Sequence, residues 1–97
     1  MYLIHVRLRR PVDGEPAPEA AREILATVAP DDGVEHVTVH HVSGREAVVG
    51  LFVRAESLAV AEEAAAAVCS RALSLRPAWG YVTVSCGAVL VWPLLEL

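Results

Sequence analysis

The feature that most constrains this chain is the order in which two periodicities alternate along it. A period-2 stretch comes first, then one of period 3.6, two more of period 2, a long one of period 3.6 and a last of period 2, all within 97 residues. Successive strand residues point to opposite faces, whereas helix residues three or four apart share a face. The chain therefore reads as β-α-β-β-α-β, one α+β domain over residues 1–97 with a core at 2–86 and a C-terminal extension at 87–97. A chain this short supports one modest core and not two.

Tyr2, Ile4, Val6 and Leu8 alternate with Leu3, His5, Arg7 and Arg9, and Pro11 ends this first strand. The first helix opens near Pro18 and Glu19, residue types suited to a first turn. It places Ala21, Ile24, Leu25 and Val28 on one core stripe and stops at Pro30-Asp31-Asp32-Gly33. Strands at about 34–42 and 46–54 flank Ser43-Gly44, where glycine is expected to supply the positive φ of a tight hairpin. Gly50, inside the third strand, marks a bulge or a close backbone approach. The second helix takes Ser57 as its N-cap, sets Leu58, Ala61, Ala65, Val68, Cys69 and Ala72 on one face, and ends before Pro77. In the last strand Val82, Val84, Cys86, Ala88 and Leu90 keep one phase, with Gly87 as a point of kinking, and an apolar tail follows Pro93.

With its elements in this order, residues 2–90 resemble the ferredoxin-like superfold, a βαββαβ sandwich. The resemblance implies an antiparallel sheet in the spatial order fourth, first, third, second. Right-handed crossovers put both helices on one face and leave the other to solvent, a ligand or a partner. The heavy-metal-transfer branch carries CxxC in its first loop, but here that loop reads Arg10-Pro11-Val12-Asp13-Gly14-Glu15. The Asp-x-Pro-Gly-like turn of the ACT-type branch matches Val12-Asp13-Gly14-Glu15-Pro16 poorly. In size and C-terminal extension the chain is similar to the dimeric α/β-barrel branch, whose open sheet faces are buried between two protomers.

Composition excludes several classes. Lys, Asn and Gln are absent and all eight basic residues are Arg, the bias of a GC-rich bacterial gene, so arginine content by itself argues for no phosphate partner. A net charge of −4 spread along the chain, with no cluster of aromatic rings beside Phe52 on the open face of the central strands, argues against nucleic acid. The 19 uncharged residues between Arg76 and Glu96 keep strand alternation and contain prolines and glycines, so they read as strand and tail rather than a membrane span. Cys69 and Cys86 lie in apolar stretches without metal spacing, and residues 1–10 lack a secretory pattern; a cytoplasmic protein with reduced thiols is expected.

Candidate chemistry centres on His5, His36, His40 and His41. His36 and His40 share a strand face with Thr38 between them, yet lie about 13 Å apart at the rise of a strand, too far for one metal ion. No metal or cofactor is expected, and His36 and His40 are the candidates should one bind. The open face offers His5 and Arg7 on the first strand, either Val48, Gly50 and Phe52 or the alternate set on the third, and Thr83 and Ser85 on the fourth; the pocket candidates are His5, Arg7, Phe52, Thr83 and Ser85, with His5 as the candidate catalytic base. The leading functional expectation is a small non-catalytic protein acting through association, as a homodimer or with a protein partner. Leu90, Trp92, Leu94, Leu95 and Leu97 would form that interface. The alternative is a dimeric α/β-barrel-type ligand binder or cofactor-free enzyme using the open face. Histidine-based metal binding is third.

Overall fold

The computed structural model describes residues 1–14 and 18–88. Strand β1 (Tyr2–Arg9) is followed by helix α1 (Ala20–Leu25), strands β2 (Val34–His41) and β3 (Glu46–Val53), helix α2 (Leu58–Leu75) and strand β4 (Val82–Ala88). Short 3-10 turns stand at Pro30–Asp32 and Pro77–Trp79. The strands make one sheet in the order β2-β3-β1-β4, antiparallel at every pairing. The protein is thus α+β, with two helices on a four-stranded antiparallel sheet.

One sheet face is the core. Ile4, Val6 and Leu8 of β1 and Val49, Leu51 and Val53 of β3 are buried in strict alternation, joined by Val34 and Val37 of β2. Ile24 of α1 and Ala61, Ala65, Val68, Cys69 and Ala72 of α2 close over them. Ser57 caps α2 as its residue type suggests, its Oγ accepting from the Val60 amide at 3.2 Å. Leu58, placed on the core stripe by spacing, is instead exposed in the first turn.

Three local expectations are corrected. Helix α1 is six residues long, and only Ala20 and Ile24 of it are buried; Leu25 is 39% exposed. The Thr27 and Val28 amides bond to the carbonyls three residues back, and the Thr27 hydroxyl donates to the Ile24 carbonyl at 2.7 Å. These i→i+3 bonds tighten the last turn, and Ala29, preceding Pro30, is extended rather than helical. Gly44 does not have positive φ; among the described residues only Gly33 and Gly80 do. The β2–β3 hairpin is held by Ser43, whose Oγ accepts from the Arg45 and Glu46 amides, both at 3.1 Å. The bulges lie in β2, between Val34 and His36, and at the β1–β4 pairing, between Arg7 and Leu8. Strand β3, where Gly50 pointed to one, runs in unbroken register along β1.

Two arginines tie elements together. Arg71 of α2 donates to the Thr27 carbonyl at 2.7 Å and pairs with Asp32 Oδ2 at 3.1 Å. Burial pushes the Asp32 carboxyl up, but the Ala29 amide and Arg71 outweigh it and hold it below its ordinary value. Arg10 reaches the Gly44 carbonyl at 2.8 Å and the Trp79 carbonyl at 3.1 Å and lies over the Tyr81 ring. Cys69 and Cys86 are free thiols; burial, with Cys86 adding to it, pushes the Cys69 thiol up to about 12.

Candidate functional site

The sheet face away from the helices carries the site, and its geometry follows from strand register. Antiparallel partners share a face, so residues line up in rows across the sheet. One row reads Thr38, Gly50, His5, Gly87. The next reads His40, Val48, Arg7, Ser85. Together with Ala88 these residues line an open trough of about 590 Å³. Its volume is in the range of small-molecule sites, and among the described residues nothing roofs it.

Two glycines shape the trough. His5 stands between Gly50 and Gly87 in its row, so neither of its cross-strand partners carries a side chain of its own. A Cβ at Gly50 would lie 2.6 Å from Thr38 Oγ1, so no larger residue fits while that hydroxyl keeps its place. A Cβ at Gly87 would meet nothing within 4 Å. Packing therefore demands the first glycine, whereas the second simply leaves space.

The charge on this face is opposite to that of the whole chain. Glu46 is the one carboxylate at these register positions, and two guanidiniums share it: Arg9 at 3.3 Å and Arg7 at 3.7 Å. The protein carries a net −4, yet this end of the trough carries two cations for one anion. His5 and His40 stand exposed beside it.

Of the residues expected to form a pocket, His5, Arg7 and Ser85 come together here. Phe52 is on the same face but outside the trough, its ring 5.9 Å from that of His36. Thr83 is displaced by the β4 bulge: Arg7 pairs with Ser85, but Leu8, a core residue, pairs with Thr83. The same slip leaves Val82 62% and Val84 46% exposed, although alternation alone put them in the core. His36 and His40 flank Thr38 on β2, and β3 separates them from His5. Among the described residues no three His, Cys, Asp or Glu side chains converge as metal ligands do, and no helix is long and apolar enough to cross a membrane. The expected interface residues Leu90, Trp92, Leu94, Leu95 and Leu97 lie outside the described residues.

Residue reasoning offered Val48 and Gly50 as one of two phases of the third strand, and missed Thr38, His40 and Gly87 as trough residues. The available signal was the pair of strand glycines, which register places on either side of His5. No protein-family model matches the chain, and no curated protein matches it.

Proposed function

We propose that this protein binds a small molecule in the trough on its open sheet face. The observation that carries the proposal is the row Gly50–His5–Gly87, in which one imidazole stands between two glycines with open space over Gly87, bordered by Arg7, His40 and Ser85. The element order and the strand order β2-β3-β1-β4 support a ferredoxin-like domain. In the dimeric α/β-barrel members of that group, a second copy supplies the roof that a single sheet lacks. The free thiols Cys69 and Cys86 support a reducing, cytoplasmic setting.

The test uses Gly87→Val, which puts a branched side chain into empty space. Small-molecule hits found by saturation-transfer NMR on the wild-type chain should vanish with Gly87→Val, while the melting temperature is unchanged or higher. Hits that bind the variant undiminished would remove the trough as the site.

A second reading, association without a small ligand, is favoured by the exposed Val82 and Val84 on the edge strand β4. It predicts that deleting residues 92–97 lowers the oligomeric state measured by light scattering or makes the protein precipitate. A soluble product of unchanged oligomeric state would count against it.

A further inference from the structure

Resting on the trough reading above, we infer that the ligand is an apolar organic carboxylate, its anionic end held between Arg7 and Ser85 and its body lying over Gly87 beside the His5 ring. Arg7 and Ser85 are direct cross-strand partners and both line the trough, so a guanidinium-bearing and a hydroxyl-bearing side chain rise from neighbouring positions at one end of it. That combination matches the two oxygens of a single carboxylate. Arg7 is available for this role. Among the described residues its one charge contact is the long 3.7 Å approach to Glu46, which Arg9 engages more closely at 3.3 Å.

The remainder of the trough rejects a more highly charged ligand. A phosphate dianion is ordinarily held by several backbone N–H groups at a helix end or nest, together with cations. Here the floor is the middle of a sheet, where β1 and β3 pair on both sides and spend their amides on the ladder. What the floor offers beside the His5 and His40 rings is Val48, the open backbone at Gly87 and the Thr38 side chain, with its methyl group, a surface that can take apolar contact. One fork at the end and a flat bed of imidazole rings, Val48 and open backbone fit a monoanion with a hydrocarbon or aromatic body.

The experiment is a ¹H–¹⁵N NMR titration of the full chain with benzoate, phenylacetate and isovalerate, each compared with its primary amide. The expected result is that a carboxylate, and not its amide, shifts the amides of His5, Gly50 and Gly87. Arg7→Gln should weaken that binding by about tenfold or more, the scale of a lost charge-assisted hydrogen bond. Ser85→Ala should weaken it less, and serves as the second variant if Arg7→Gln does not give a folded spectrum. If acid and amide shift the trough equally and neither variant matters, while Gly87→Val abolishes both, the carboxylate inference is overturned and the trough reading stands. If no probe shifts the trough, or the shifts survive Gly87→Val, both are overturned.

Discussion

Gly50→Ala tests whether the trough floor is set by contact or by chance. The added Cβ would sit 2.6 Å from Thr38 Oγ1, closer than carbon and oxygen approach without something moving. Thr38 is β-branched and its χ1 is stiff on a strand, so moving the hydroxyl means changing rotamer or shifting β2. Overpacking of this kind costs about 1–3 kcal/mol. Against it, replacing glycine reduces the freedom of the unfolded chain and returns about 0.4–1 kcal/mol. The net expectation is a loss of about 1 kcal/mol in urea melts followed by circular dichroism. Thr38→Ala removes the clashing oxygen, after which the nearest atom to the new Cβ is His5 Cδ2 at 3.6 Å, an ordinary contact. In that background Gly50→Ala should be neutral or stabilising, giving a coupling of about 1–3 kcal/mol between the two sites. Gly87→Ala, with nothing within 4 Å, is the control and should not destabilise. An equal cost of Gly50→Ala with and without the Thr38 hydroxyl would refute the reasoning.

Ile24→Ala should cost about 2–5 kcal/mol while its exposed neighbour Leu25→Ala stays below about 1 kcal/mol, and equal losses in a melt would mean that α1 is rotated. Asp32, held below its ordinary value, contributes stability that is present above the unfolded value of 3.8 and is lost as pH falls through its lower folded value. Asp32→Asn should therefore flatten the acid limb of a stability–pH curve, and an unchanged limb would show that the Ala29 and Arg71 contacts do not form. Cys69, raised to about 12 from 9.0, should resist alkylation at pH 8 in the folded protein and react after denaturation. Its contribution is fully present below pH 9 and is lost as pH rises from there toward 12. Rapid native labelling of Cys69 would contradict its burial. Tyr81→Phe should leave stability unchanged or raise it, because the Tyr81 hydroxyl is buried without a hydrogen-bond partner among the described residues; a loss above about 1 kcal/mol would show that it has one.

The parts of this fold legible in the sequence are those where one physical rule acts alone. In β1, burial alternates as Ile4, Val6 and Leu8 do, because the strand lies between two neighbours and has a single choice of face. Helix α2 keeps its period for five turns, so the positions of Ala61, Ala65, Val68, Cys69 and Ala72 follow from spacing, and Ser57 caps it by chemistry local to one turn. Legibility fails where rules compete. Leu25 has the right spacing for the core, but α1 is too short to hold its phase once Thr27 and the approach to Pro30 tighten its end. Val82 and Val84 have the right alternation, but an edge strand tolerates a bulge, and one extra residue reverses the face of everything before it.

The candidate site suffers from the same competition. Its composition was readable, since His5, Arg7 and Ser85 all lie on strands. Its shape was not, because the trough depends on which residues stand opposite His5 across two strand pairings, and register between distant segments leaves no mark in either segment alone. Gly50 carries a partial signal, for a buried strand glycine needs a reason and Thr38 supplies it. Gly87 carries none, since nothing crowds it. Gly87, which packing does not require, stands beside the His5 imidazole and one row from Arg7 and Ser85, and under the proposed reading it keeps that space open for a ligand. For that reason Gly87→Val, rather than a change at His5, separates a working trough from an idle one: it fills the space and leaves every charged group where it stands.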